Sequence, residues 1–460
     1  MTAGPAPGRG DGGPRRASGR AAVAARLERW RPVVLPAAVL WALAAVASVG
    51  YLHPFDVHEY ARYAHAALRP PLLHRLPDEY PAPALALFLL PLALPLPYAW
   101  GFAVVTAVAL LVLVHVYGTG ATATTAGAEG VGRGTVEDAA GWSTEGARRL
   151  LVYLTLGAVM VLAGRYDLFP VAAAFLAVRS ARAGRFGAAW TWSALGCALK
   201  LFPAALWPVL VVAEWRASGR PPLRRLWWIV ATAVAVGALP LVLDRGAVLT
   251  VLHYYLHRPT EIGSLSAGLS VLLDPGGTSW VVSYHSSNVV SGLAPVLGDV
   301  FALAAAAGAV ATWWAQARGR LTLEAACLLT LTLAVLGGKV LSVQYVMWLM
   351  PLWALYRLRP AWLLAAAANL VVFPYAAAGA GVAHLPGTTY AVSLTLVYFA
   401  RDVLLVAGTV GWLRAELAAG RPPPAPGRRR PDHRRRGPAD DDTARHPSAR
   451  HGAGAAGVRG

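Results

Sequence analysis

One short stretch near the start of the chain concentrates side chains able to do acid–base chemistry. "HPFDVHEYARYAHAAL", His53 to Leu68, holds two carboxylates, three histidines, an arginine and two tyrosines. Taken as a helix over 55–68, it sets Asp56, Tyr60 and Tyr63 on one face and His58, Arg62 and His65 on another, because residues three and four apart share a side. A carboxylate so placed can act as a general base toward a hydroxyl nucleophile. Glu59 is a second carboxylate, one step round the helix. His58 and His65 read more simply as a solvated polar face. Further on, "DEYPAP" (78–83) adds Asp78 and Glu79, able to cap or orient, and Tyr80, which Pro81 holds in an extended turn.

The cations are equally selective. Of 41 basic residues only two are lysines, Lys200 in "ALKLFP" and Lys339 in "GGKVLSVQY", the latter followed by Gln344 and Tyr345. With Arg165 in "GRYDLFP", they suggest a cationic pocket for an anionic group; the plainer reading is that the lysines snorkel to lipid headgroups. Arg165 and Asp167 are too close in the chain for a helical ion pair, so each is expected to find a partner elsewhere. "HYYLH" spaces His253 and His257 for a metal, but no third ligand is near, and no metal or other cofactor is expected. His257 and His285 stand as reserve bases. A Walker-type phosphate loop is absent, which argues against an ATP-driven pump.

The elements that must position these residues are membrane spans. The chain of 460 residues is 57% hydrophobic and only 14% charged, too little polar material to cover a soluble core of this size. Apolar runs at 33–52, 98–117, 148–163, 166–179, 187–199, 201–215, 226–243, 294–314, 321–338, 342–357, 361–377 and 389–413 give about twelve transmembrane helices. The expectation is an all-α polytopic membrane protein. Its parts are a disordered basic N-terminus (1–32), a multi-span domain (33–413) and a disordered basic tail (414–460). The net charge of +18 sits largely in those two ends, which fits anionic lipid better than nucleic acid. Cys197 and Cys327 both fall in apolar runs and suggest no disulfide. The first span follows a long basic leader without a cleavage site and reads as retained.

Arginine-rich turns at 179–185, 215–225, 316–320 and 356–360 recur every second span, so they and both termini are expected in the cytoplasm. This parity requires that the proline-rich run 82–97 not cross; it reads as a re-entrant or broken segment. Loop 118–147 is then cytoplasmic, while 53–80, 164–167, 200, 244–293 and 339–345 face outward; with His384 on the same side, eight of the twelve histidines lie there.

Taken in order, "FDVHEYARYAHAAL", "DEYPAPALALFLLP", "GRYDLFPVAAAFLA", "ALKLFPAALWPVL" and "GGKVLSVQYVMWLMPLWAL" resemble the GT-C fold glycosyltransferases of family 87, the polyprenyl-phosphate-mannose-dependent alpha-mannosyltransferases. The resemblance spans roughly 33–413. It implies a plasma-membrane enzyme with interfacial helices in its first outer loop and an active site facing away from the cytoplasm. It implies a polyprenyl-phosphate sugar donor, a glycolipid or glycan acceptor, and an acidic base, by position Asp56, with Glu59 as the companion carboxylate. Tyr60, Glu79, Tyr80, Arg165, Asp167, Lys200, His257, Lys339, Gln344 and Tyr345 are then the candidate binding residues. Two departures from the family pattern stand out: Glu59 is not adjacent to Asp56, and Ala82 interrupts the family's "EYPP".

The residues agree chemically with such a transfer. The leaving phosphate needs charge stabilisation, and the acceptor hydroxyl needs a base. The rival reading is a transporter or lipid flippase using the same pocket without chemistry, although no internal repeat is evident.

Overall fold

Apolar stretches become helices along nearly the whole chain. A computed structural model describes residues 15–51, 55–73, 75–77, 79–118, 142–284, 286–379 and 387–418. Through the first third run α1 (Arg15–Ala45, extended by a π-helical turn to Tyr51), α2 (Phe55–Ala67), α3 (Leu85–Leu89) and α4 (Tyr98–Gly118). Next come α5 (Thr144–Gly157), α6 (Val159–Leu162), α7 (Leu168–Arg182), α8 (Phe186–Leu199) and α9 (Trp207–Ser218). Then follow α10 (Leu226–Ala233), α11 (Leu239–Leu243) and α12 (Arg245–His257). After β1 (Thr260–Glu261) and α13 (Leu265–Leu273), strands β2 (Ser279–Ser283) and β3 (Ser286–Val290) precede α14 (Leu293–Ala317). The chain closes with α15 (Leu323–Leu336), α16 (Tyr345–Trp353), α17 (Pro360–Gly379) and α18 (Gly387–Ala418).

Each of the twelve apolar runs contains helix. Among the described residues five helical stretches are long and apolar enough to cross a membrane: Trp30–Val49, Tyr98–Tyr117, Leu223–Leu243, Leu293–Ala317 and Ala391–Ala418. Two of these are almost unpacked by protein: only 11% of Leu223–Leu243 and 6% of Leu293–Ala317 is buried. Their backbone polar groups are satisfied within the helix and their side chains are apolar, the combination a lipid environment selects. Shorter apolar helical stretches among the described residues are Ala82–Ala93, Leu323–Leu336 and Pro360–Val372.

Two expectations are corrected. Residues 15–32, read as a disordered leader, continue α1 without a break. They lack an apolar period, but alanine, arginine, leucine and glutamate are all strong helix formers. Likewise α18 continues to Ala418, five residues into the expected tail; 1–14 and 419–460 lie outside the described residues. The stretch 244–293, expected on the outer side, carries an antiparallel sheet in the order β1-β3-β2 within an otherwise helical fold. "SWVVS" and "SSNVV" are short and β-branched, which suits a hairpin, and a search tuned to long apolar runs passes over them.

The run 82–93 is broken, as its prolines dictate. It forms two short 3₁₀ turns, Ala82–Ala84 and Leu90–Ala93, on either side of α3. Pro91 packs on α4 at Gly101, where a Cβ would stand 3.1 Å from the Pro91 carbonyl oxygen. Most of loop 118–147 is outside the described residues.

Two packing features position the candidate site. The first is an aromatic cluster under α2, in which Tyr60, Phe88, Phe102 and Tyr166 are fully buried. Tyr60 stacks on Phe88 at 4.4 Å and meets Tyr166 edge-on at 5.7 Å. The second is the antiparallel hairpin of α7 and α8, turning at Gly184 with φ 71°. The helices approach closely because small residues line the seam; a Cβ on Gly196 would lie 3.2 Å from that of Ala173. The hairpin returns the residue after α8, Lys200, beside the residue before α7, Asp167.

Candidate active site

Helix α2 presents its two faces as the periodicity implies. Tyr60 and Tyr63 are buried, Asp56 is half-buried, and His58, Arg62 and His65 are exposed. Asp56 sits in the first turn, where a carboxylate suits the positive end of the helix dipole. Its Oδ1 accepts from Arg165 Nη1 at 2.6 Å and, at a longer 3.4 Å, from the Tyr80 hydroxyl. Among the described residues Asp56 Oδ2 has no hydrogen-bond partner. The Arg165 guanidinium commits only Nη1 to Asp56, so Nε and Nη2 remain for another acceptor.

Beside this pair lies a second. Asp167 Oδ1 accepts from Lys200 Nζ at 2.7 Å and from Trp348 Nε1 at 2.8 Å, while its buried Oδ2 has no partner among the described residues. The Lys200 ammonium also lies over three rings, Tyr166 at 5.0 Å, Trp348 at 5.4 Å and Tyr345 at 5.6 Å. Trp348 is itself held between Tyr345 and Phe202, both stacked on it within about 4 Å. Helices α2, α7, α8 and α16 therefore meet at a layer of two aspartates and two cations walled by aromatics.

The charges interact across the layer. Burial lowers the Lys200 pKa, and Asp167 only partly restores it, so the ammonium gives up its proton below the ordinary lysine range. Burial acts the same way on Arg165 and is the largest single influence, but Asp56 together with Tyr60, Tyr80 and Asp167 outweighs it, and the guanidinium stays charged. Burial, then the Asp56 charge, raises the Tyr80 phenol, which therefore donates rather than ionises.

The cationic pocket expected from Arg165, Lys200 and Lys339 takes a different form. Arg165 and Lys200 come together, but each already faces a carboxylate, so the layer is charge-compensated. Lys339 joins a neighbouring cluster: its ammonium donates to the Leu256 carbonyl at 3.3 Å, and its own carbonyl accepts from Glu261 N at 2.9 Å. Glu59 pairs with Arg62 on the outer surface of α2 rather than supporting Asp56. His257 stacks on His253 at 4.1 Å on exposed α12 and takes no part in the layer. Gln344, buried at the start of α16, has an Oε1 that accepts no hydrogen bond among the described residues. Glu79 is half-buried beside Tyr80. Asp78 and His285 lie outside the described residues. No His/Cys/Asp/Glu group able to hold a metal occurs among the described residues.

Several participants escape the sequence reading. Tyr166 and Trp348 complete the lysine's surroundings but look like ordinary apolar-run aromatics. Glu261 accepts from Ser342 at 2.6 Å and Ser286 at 3.2 Å, with Arg258 3.6 Å away, and so ties the sheet to the loop before α16. Arg401 is fully buried and bonds Asp402, Asn369 and the carbonyls of Gly263 and Leu341. The adjacent charges in "YFARDVLL" were the available signal, since ionisable residues inside an apolar span require partners.

No protein-family model matches the chain, and no curated protein matches it.

Proposed function

We propose that the chain is a GT-C-type membrane glycosyltransferase of about twelve spans that transfers a sugar from a polyprenyl-phosphate donor to a glycolipid or glycan acceptor on the outer face. Mannose is the sugar that the family 87 resemblance implies. The observation that carries the reading is the half-buried Asp56, with one oxygen held by Arg165 and Tyr80 and the other unpartnered among the described residues.

The chemistry follows from that arrangement. An acceptor hydroxyl on the free oxygen of Asp56 gives up its proton there as its oxygen attacks the sugar carbon. The carbon–phosphate oxygen bond breaks on the far side, and the configuration inverts. Negative charge collects on the departing lipid phosphate, where the unused guanidinium donors of Arg165 and the Lys200 ammonium stabilise it. The aromatic wall excludes water, which strengthens these contacts and disfavours hydrolysis.

The assay is transfer of labelled sugar from polyprenyl-phosphate mannose by purified protein. Because Lys200 loses its proton at lower pH than a free lysine, kcat/KM is expected to fall on the alkaline side before ordinary lysine titration. Lys200→Arg keeps the charge at high pH and should move that limb upward. A profile unchanged by Lys200→Arg removes Lys200 from donor stabilisation.

The compensated layer also favours a second reading, a carrier that breaks and remakes the Asp56–Arg165 and Asp167–Lys200 pairs as it opens. Uptake of a polyprenyl-linked substrate into proteoliposomes, without transfer, is the outcome that selects it.

Orientation has its own test. In a background lacking Cys197 and Cys327, cysteines at exposed Leu72 and Gly276 should react with an impermeant thiol reagent in intact cells. Cysteines at exposed Ala217, and at Ala128 in the loop outside the described residues, should be protected. Labelling at Ala128 means that 82–97 crosses, and the topology is then inverted beyond it.

A further inference from the structure

At the C-terminal end of α2 lies a cavity of about 820 Å³ with a basic wall. Arg62 and His65 reach it from α2, Arg69 and Arg75 from the loop that follows, and Asp244 and Thr250 from the region of α12. The local charges are unevenly matched. Arg62 is engaged by Glu59, and Asp244 accepts from Leu76 N at 3.1 Å. The side chains of Arg69 and Arg75 make no hydrogen bond or ion pair with any described residue.

The loop places both arginines in the wall of the same cavity. Leu73 N donates to the Ala67 carbonyl at 3.0 Å, folding the loop back on the end of α2. Leu73 itself takes φ 61°, in the left-handed region that a residue with a Cβ rarely adopts. Two guanidinium groups in one wall repel each other unless an anion lies between them. Arginine forks match the oxygens of a phosphate more closely than any other side chain does. The cavity is several times larger than a phosphate group and leaves room for whatever carries it.

We propose that this cavity binds a phosphate ester, with Arg69 and Arg75 as its principal donors and Arg62 and His65 adding positive potential. The same chemistry is offered by the headgroup of an anionic phospholipid in the surrounding leaflet and by a soluble phosphorylated ligand. The site is distinct from the Asp56 layer, although Tyr63 borders the cavity and meets Tyr80 edge-on at 6.2 Å.

The test uses the full-length protein in two arms. In the first, inorganic phosphate and glycerol phosphate are titrated calorimetrically into protein in neutral detergent. In the second, protein is reconstituted in phosphatidylcholine containing a minority of phosphatidylglycerol, re-extracted, and its retained lipids are counted by native mass spectrometry. Wild type should bind in at least one arm, which identifies the source of the phosphate. Arg69→Gln and Arg75→Gln should each weaken that binding by about tenfold or more, and the double variant should abolish it. Arg69→Lys/Arg75→Lys should fall between, keeping charge while losing the fork. Both arginines are exposed, so the variants should keep the wild-type unfolding midpoint; if the double variant does not, the two single variants decide. Absence of binding in both arms, or equal binding by wild type and the glutamine variants, overturns the proposal. Neither arm measures sugar transfer, so this site and the transferase reading fail independently.

Discussion

Asp56→Asn is expected to lower kcat for sugar transfer by about 10²–10⁴-fold, the usual contribution of a general base, with donor KM near the wild-type value. Asparagine preserves the size of the side chain and can still accept from Arg165 and Tyr80, which hold Oδ1 at 2.6 and 3.4 Å. What it loses is the ability to take a proton at the second position. A loss in kcat with KM retained is the signature of an interaction made only in the transition state. Glu59→Gln should have a much smaller effect, because Glu59 is paired with Arg62 on the surface of α2. Arg165→Met should behave differently from both: it removes a phosphate donor as well as the partner of Asp56, so KM and kcat should change together. Near wild-type turnover by Asp56→Asn, at matched expression and unfolding midpoint, takes Asp56 out of the mechanism. The base would then be sought at Asp167, or at the reserve histidines His257 and His285.

Periodicity made part of this site readable. The faces of α2 follow from residues three and four apart, and burial of Tyr60 and Tyr63 with exposure of His58, Arg62 and His65 matches them. Apolar runs likewise marked the helical segments α4 to α11 and α14 to α18, though not α12 and α13, since helix is the way such residues satisfy their backbone without water. Pairing was not readable. That Asp167 meets Lys200 depends on the closeness of α7 and α8, set by Gly196 against Ala173, and that Asp56 meets Arg165 depends on packing across more than a hundred residues. A sequence shows cations as free until their partners are placed, so a cationic pocket was expected where a compensated layer stands. Glu261 and Arg401 were hidden for the same reason: each is meaningful only beside the carbonyls and hydroxyls it joins. The sheet was missed because its strands, five residues at most, carry less pattern than the long helices around them.

The second large effect is on stability. Asp167→Leu should destabilise the protein by about 3–5 kcal/mol, as expected when one member of a buried ion pair is removed. Asp167 is 1% exposed and serves two donors, Lys200 at 2.7 Å and Trp348 at 2.8 Å. Leucine leaves an ammonium in an aromatic enclosure with no counter-ion, and strands an indole N–H as well. The ring contacts of Tyr166, Tyr345 and Trp348 offset only a fraction of that, since a cation over a ring is worth about 0.5–2 kcal/mol. Lys200→Met on its own should cost less, because the buried Asp167 still accepts from Trp348 and can take up a proton. The informative protein is the double variant Asp167→Leu/Lys200→Met. Replacing both charges by apolar groups of similar volume is often neutral, so the double variant should recover most of the unfolding midpoint lost by Asp167→Leu, a coupling that sums of independent sites cannot give. Sugar transfer should not recover with it, because Lys200 is assigned to the leaving phosphate and a methionine cannot replace its charge. Thermal unfolding in detergent together with transfer on the same preparations separates the two roles. A double variant no more stable than Asp167→Leu denies the pair its structural coupling, and a stable double variant with full transfer denies Lys200 its place in the chemistry.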